Sequence, residues 1–391
     1  MPLSQSILNL PYLHIRNCEQ TDPVLIDTEY GGPVRCPHCA SDQLRKKSPF
    51  ERRVRHESLG ERLVILILRG YKYLCRGCGR YFRQRFEGLL PYQRATEPFR
   101  AEVCRDHHDG ICQSRLAERT GLGSATIERW YHRFLCRKMA ERSGNPCPRV
   151  LGIDEHFFTR KQGYATTLCD LQHHRVYDVV LGRSEATLEG YLRRLKDKDR
   201  VRVVCMDLSS TYRSIARKHF PHALIVADRF HVIRLIGHTL HQLWRQIDPQ
   251  QRYNRGLLSL LRRRRDRLSP EQRTMLEDYF KAFPAIEPLY RFKQELWELL
   301  RARGLTPRAC RPRIRELLAR IRQLKDSPFA SLVSLGQTLE AWQDEIARMW
   351  RFSRNNAITE GFHTKMEMIS RRAFGFKNFD NYRLRVRACC C

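Results

Sequence analysis

VRVVCMDLSSTYRSIARKHFPHALIVADRFH, residues 201–231, contains two short apolar runs, VRVVCM and ALIVA, each ended by an aspartate. Between them STYRSIARKHF carries apolar residues at helical spacing, so the stretch reads strand, helix, strand. A carboxylate at the end of a buried strand is costly without a cation or a hydrogen-bonding partner. Asp207 and Asp228 therefore pose one question: which of them serves a metal, and what the other does.

Upstream, VLGIDEHFF, GYATTLCDL and HRVYDVVLG read as three further strands, and SEATLEGYLRRLKD as a helix. The order is β-β-β-α-β-α-β, with Asp154 and Glu155 following the first apolar run. From 232 to 350 strand signals vanish, Leu, Arg, Trp and Gln recur at helical spacing, and LRRRRDR occupies 261–267. The last forty residues return to a mixed pattern around NNAITEGFHTKMEMISRRAFGFKNF, in which Glu360 reads as lying on a helix. An α/β core is thus interrupted by an all-helical segment and then resumed.

Towards the N-terminus, residues 1–90 are strand-like and hold CPHC (36–39) and CRGC (75–78). Cys36, Cys39, Cys75 and Cys78 supply four soft thiolates on two tight turns, a donor set suited to tetrahedral Zn²⁺. The gap of 35 residues between the pairs is long, and a β-hairpin would return the chain to the site. His38 and His56 are spare ligands that four cysteines leave unneeded. Between Cys36 and Arg85 thirteen Lys/Arg face four acids, so the module suits DNA as well as its own fold; the alternative is a clip with a solvated basic face.

Residues 111–135, ICQSRLAERTGLGSATIERWYHRFL, follow the grammar helix, glycine turn, helix. Ser124 is expected to cap the second helix, with Ile127, Trp130 and Phe134 as its buried stripe. That leaves Thr126, Arg129 and Arg133 to face a DNA groove, the outline of a helix-turn-helix. SGNPCPR, 143–149, reads as a linker.

Composition agrees with a polyanionic partner. The 391 residues include 72 Lys and Arg against 42 Asp and Glu, a formal charge of +30. MPLSQSILNLPYL lacks the pattern of an export signal, and the longest apolar run, LVILIL (63–68), is too short to span a bilayer. Fifteen cysteines, an odd number, then suggest thiols and metal ligands rather than a disulfide scaffold, and a cytoplasmic protein acting at the nucleoid, with no membrane partner.

The element order is similar to that of a ribonuclease-H-like domain. That fold carries its first metal carboxylate on strand one, the second just after strand four and the third on a late helix. The resemblance selects Asp154, Asp207 and Glu360 as ligands of Mg²⁺ or Mn²⁺, and leaves Asp228 a supporting or capping role beside His231.

CPHC with YLCRGCGRYF, GIDEHFFTRKQGYATTLCDL, MDLSSTYRSIARKHFPHALIVADRFHVIR and NAITEGFHTKMEMISRRAFGFKNFDNYR together resemble the ISL3 family of bacterial insertion-sequence transposases, over essentially the full length. The resemblance implies a zinc module (1–90) and helix-turn-helix (91–142) that bind terminal inverted repeats, and a core (149–231 and 351–391) split by a helical insertion (232–350). It also implies a DDE triad of Asp154, Asp207 and Glu360, and an Asp-x-x-His signature in Asp228 and His231. The expected activity is DNA cleavage and strand transfer by a dimer or larger assembly acting on double-stranded transposon ends and target. Lys365, Arg371 and Arg372 are further DNA-contact candidates, and His363 lies near them. Two rivals remain: a zinc and helix-turn-helix regulator without catalysis, and a metal-dependent nuclease without strand transfer.

Overall fold

The computed structural model describes residues 8–141, 146–352 and 357–390. Residues 143–145 of the expected linker, together with Asn355 and Asn356, lie outside the described residues. The chain divides into two compact units, Met1–Glu141 and Arg142–Cys391.

The first unit is built on a sheet of β1 (Leu13–Glu19), β2 (Val24–Tyr30), β3 (Leu44–Leu59), β4 (Arg62–Cys75) and β5 (Tyr81–Arg83). The order is β1-β2-β4-β3, with β5 also pairing β4. β3 and β4 form a long antiparallel hairpin whose turn holds Gly60 at φ 64°, a left-handed conformation that glycine adopts without steric cost. One face buries alternate residues Val64, Leu66 and Leu68 of β4 with Val24, Ile26 and Val54.

Helices α1 (Glu97–Asp109), α2 (Gln113–Thr120) and α3 (Ser124–Ala140) follow. Thr96 caps α1 and also bonds the buried ring of His56 at 2.9 Å, tying the helices to the hairpin. Phe99, Val103, Leu116 and Ile127 form the three-helix core. Two local expectations are corrected. Gly123, not Ser124, is the N-cap of α3 and makes no side-chain bond, because helix geometry begins one residue earlier. The buried stripe is Ile127, Tyr131 and Leu135 at strict i+4 spacing. Trp130 sits at its edge, half-buried against Phe99 and beneath the Arg100 guanidinium at 5.2 Å, and Phe134 stacks beside Tyr131.

The second unit contains β6 (Val150–Thr159), β7 (Gly163–Asp170), β8 (Arg175–Leu181), α4 (Glu185–Arg194), β9 (Val203–Met206), α5 (Ser210–His219) and β10 (Leu224–Ala227). Its sheet order is β10-β9-β6-β7-β8. The pairs β6–β7 and β7–β8 are antiparallel, whereas β6–β9 and β9–β10 are parallel. This mixed sheet resembles a ribonuclease-H-like core.

Seven helices follow: α6 (Arg229–Ile247), α7 (Arg255–Arg262), α8 (Pro270–Ala282), α9 (Ile286–Arg301), α10 (Pro307–Lys325), α11 (Ala330–Ala341) and α12 (Gln343–Arg348). α6 begins directly after Asp228, so the helical insertion grows out of β10 without a loop. Leu151, Ile153, Val204 and Met206 of the sheet share a core with α4, α5 and the insertion. The other face is covered by α13 (Ala357–Arg372) and α14 (Phe379–Cys389), through Met366, Ile369, Tyr382 and Val386. A bidentate pair of 2.7 Å bonds from Arg383 to Asp178 fixes α14 on β8.

Candidate active site and metal centres

Strand register brings the aspartates together. Ile153 pairs with Met206 across β6 and β9, and Met206 pairs with Ala227 across β9 and β10. The next residues along these three neighbouring strands are Asp154, Asp207 and Asp228. Asp207 and Asp228 lie just past the ends of β9 and β10, and Asp154 lies midway along β6, where its parallel pairing with β9 ends.

The first turn of α6 projects His231 into this group. Its Nε2 lies 2.9 Å from Asp207 Oδ1 and 3.6 Å from Asp228 Oδ2. Asp228 is 1% exposed and its carboxylate accepts from the Phe230 amide at 3.4 Å as the N-cap of α6, so it fixes the helix that carries His231. Asp207 does not cap α5; Ser209 does, accepting from the Tyr212 amide.

Asp154, Asp207 and His231 each offer a ligand atom within 4.8 Å of the others. Burial pushes the Asp154 carboxyl up to about 7, with the charge of Asp207 adding to it. Burial alone would lower the pKa of His231, but Asp207, Asp228 and Asp154 outweigh it and raise it. Crowded oxygen ligands with one imidazole, among them the Asp154 carboxyl that burial holds against ionisation, fit a divalent cation.

Glu360 is in the first turn of α13, half-buried, and is not part of the 4.8 Å group. Three residues further along that helix, His363 places Nδ1 3.9 Å from Asp154 Oδ2 and Nε2 3.1 Å from Thr167 Oγ1. Thr167 also meets His156 Nδ1 at 2.9 Å, and His156 Nε2 meets the Tyr382 hydroxyl at 2.9 Å. Burial takes His363 down to about 4, so its ring is neutral near pH 7. This chain from Asp154 to α14 was not readable in the sequence; no spacing signal links Thr167 or Tyr382 to the site.

Arg229 was also overlooked, although it stands inside the opening motif. It is buried, donating to the carbonyls of Leu300 (2.8 Å), Ala302 (2.9 Å) and Met349 (2.9 Å). It thereby pins the ends of two insertion helices beside the site.

The cysteine centre is equally well formed. Cys36 Sγ lies 3.6 Å from Cys78 Sγ, and Cys39 Sγ 3.5 Å from Cys75 Sγ. Tetrahedral zinc with bonds of about 2.3 Å separates its sulfurs by about 3.8 Å, so the four thiols are nearly in place. The two turns copy each other. Ala40 N–H donates to the Cys36 carbonyl and Gly79 N–H to the Cys75 carbonyl, both at 2.9 Å. Ala40 (φ 59°) and Gly79 (φ 71°) are both left-handed. The β3–β4 hairpin spans the long gap, pairing Leu44 with Cys75 at its base. His38 is exposed beside Arg80, and His56 is committed to Thr96, so the histidines stay outside the cluster. The cluster supports a structural zinc site.

The remaining candidates are dispersed. Arg129 and Arg133 are exposed on α3, and Arg129 bonds Thr126 Oγ1 on its own helix at 3.2 Å. Lys365 donates to the Cys389 carbonyl of α14, which gives it a structural task. Arg371 pairs with Glu367 at 2.6 Å, and Arg372 is exposed at the end of α13.

The mixed sheet and the acidic cluster it carries have catalytic potential, and comparison with known proteins supplies the family. A family model of ISL3-type DDE enzymes, described as a transposase, matches residues 151–386. A second, described as the zinc-finger of transposase IS204/IS1001/IS1096/IS1165, matches 32–78. The transposase for insertion sequence element IS1001 of Bordetella parapertussis is 26% identical over 365 residues, covering 90% of this chain and 88% of that protein. The chain belongs to the ISL3 family of DDE transposases. Among the described residues no helix is long and apolar enough to cross a membrane.

Proposed function

We propose that this protein cuts DNA at the ends of an insertion sequence and joins the freed ends to target DNA, with Asp154, Asp207 and Glu360 as its Mg²⁺ or Mn²⁺ ligands. The observation that carries the reading is the register that sets Asp154 beside Asp207 and His231. When bound, divalent ions would activate the attacking oxygen and stabilise the leaving oxygen.

The protein's own groups do the rest. Asp154 and Asp207 would hold the ions on a rigid sheet, and Glu360, three residues before His363 on α13, would complete the set. His231 orients Asp207, and Asp228 holds His231 through the cap of α6. No side chain acts as nucleophile; water attacks first and the 3′-hydroxyl attacks the target next.

In this reading residues 1–90 form a zinc module and 91–142 a helix-turn-helix. Together they bind the terminal inverted repeats, with Thr126, Arg129 and Arg133 at the groove. Residues 149–231 and 351–391 form the core, and 232–350 the insertion. Exposed Tyr71 and Tyr81 lie beneath Lys46 (4.7 Å) and Lys72 (5.1 Å), a basic and aromatic face suited to DNA. Two ends must be held at once, which calls for a dimer or larger assembly in the cytoplasm.

The test uses purified protein, labelled element ends, a target plasmid and Mg²⁺. Asp154→Asn, Asp207→Asn and Glu360→Gln should each abolish cleavage and leave end binding intact. Full cleavage by the Asp207 variant overturns the assignment. Cut ends without joined products reduce the enzyme to a nuclease, and binding without cleavage by the wild type leaves a regulator.

A further inference from the structure

One face of α6 repeats Phe230, Arg234, Gly237, His238 and His241, spacings of three, four and seven residues that align on a helix. This face lines a cavity of about 410 Å³, closed on its far side by Lys293 and Trp297 of α9 and by Arg262 of α7. The volume lies within the range of small-molecule sites, about 300–1,000 Å³. Among the described residues no carboxylate lines it, whereas arginine, lysine and histidine do. Phe230, Ile233, Ile236 and Trp297 make its walls largely apolar and aromatic, Lys293 is taken up by the carbonyls of Leu261 and Arg262, and burial takes His241 down to about 4, so the cavity suits a flat uncharged ring.

Two observations narrow the ligand. First, the cavity opens beside a groove of about 650 Å³ that shares Arg262 and Trp297 and adds Arg255, Arg263, Arg264 and Arg267. A row of arginines continuous with an aromatic cavity matches a strand of phosphodiesters with one base turned aside. Second, Phe230 borders the cavity and meets the His231 ring edge-on at 5.5 Å, so the cavity adjoins the aspartate site.

Gly237 supplies the depth. It lies inside α6, where glycine costs roughly 1 kcal/mol relative to alanine. A Cβ built there meets nothing within 4 Å, so close packing does not demand glycine. Its bare backbone leaves room for a ligand instead.

We propose that this cavity receives one unpaired nucleobase of a DNA strand, stacked on Trp297, while the arginine groove holds the adjoining phosphates. The inference rests on the proposed action on DNA and adds a site for single-stranded DNA next to the reacting phosphodiester.

The test uses the full-length protein and a single-stranded hexanucleotide carrying one 2-aminopurine, with the same base in a paired duplex as control. Saturable quenching of the single-stranded probe and little effect on the duplex is expected. Trp297→Ala and Gly237→Leu should each weaken the single-strand response about tenfold, the loss of one stacked base, and leave duplex binding unchanged. Gly237→Ala should weaken it while keeping or raising the melting temperature, which separates loss of room from loss of fold. Unaltered quenching in the Gly237→Leu protein, or equal quenching of paired and unpaired probes, overturns the proposal. Displacement of the hexanucleotide by an equal concentration of dAMP assigns the cavity to free nucleotides and overturns the strand assignment. Cleavage of duplex ends is measured alongside: its absence in the wild type counts against the proposed function, whereas its presence with unchanged quenching counts against the cavity alone.

Discussion

At the scale of single residues the active-site question turns on a buried carboxyl with a like charge beside it. Asp154 has its pKa pushed up to about 7, mainly by burial and then by Asp207. The folded state therefore keeps a proton that the unfolded chain releases near pH 4. Its stabilising effect is complete below pH 4 and is lost as pH rises to about 7. Without metal, Asp154→Asn should thus gain thermal stability over the wild type from pH 5 to pH 8, by at least about 1 kcal/mol, or about 2–4 °C. Adding Mg²⁺ at pH 8 should raise the wild-type melting temperature and leave the variant nearly unmoved. Equal metal-free melting curves at pH 8 would remove Asp154 as a strained carboxylate. The aspartates themselves were legible in the sequence, because an apolar run ending in Asp is conspicuous. Arg229 was not, because its carbonyl partners lie 71, 73 and 120 residues away. Arg229→Lys loses the planar fork that reaches three carbonyls and should cost about 2–4 kcal/mol. Calorimetry would register this, with faster hydrogen exchange at residues 300–302.

At the scale of elements the zinc turns give a sharp comparison. Ala40 and Gly79 occupy equivalent left-handed positions, one with a Cβ and one without. Ala40→Gly should therefore stabilise the first unit by about 0.5–1 kcal/mol, read as a higher midpoint in urea. Cys75→Ser should remove the zinc signal in elemental analysis and unfold the base of the β3–β4 hairpin, with loss of protection at Tyr73 and Phe82. Spacing alone made the cysteine pairs and the strand order readable. Fine helix placement was less so: helical periodicity tolerates a shift of one residue, and Trp130 and Phe134 are as apolar as Tyr131 and Leu135. Packing against α1 sorts them: the His107 ring meets buried Tyr131, while Phe99 and Arg100 hold Trp130 at the edge. The chain Asp154–His363–Thr167–His156–Tyr382 was unreadable for a related reason, since it joins residues up to 226 positions apart.

For the whole molecule, charge should govern encounter. With a formal +30, binding to DNA releases many counterions, and log K should fall linearly and steeply with log salt. Arg129→Ala and Arg133→Ala should each reduce that slope by about one unit if both touch phosphate, as fluorescence anisotropy between 50 and 200 mM salt would show. A change in affinity for the element's ends alone would instead place them on base edges. The α/β core and the helical insertion were apparent from the switch in hydrophobic period near Asp228. The covering of one sheet face by α13 and α14 was not, because amphipathic helices do not name the surface they meet.

The register of the parallel strands also bears on how such a gene decays. Side chains alternate along a strand, so removing one codon within 203–206 would turn every following strand residue to the opposite face. Many substitutions there would keep an apolar strand and an intact carboxylate pair. Among degenerate copies of this sequence, short in-frame deletions in β9 would therefore silence the proposed cutting more reliably than point changes, and would leave the first unit, Met1–Glu141, untouched.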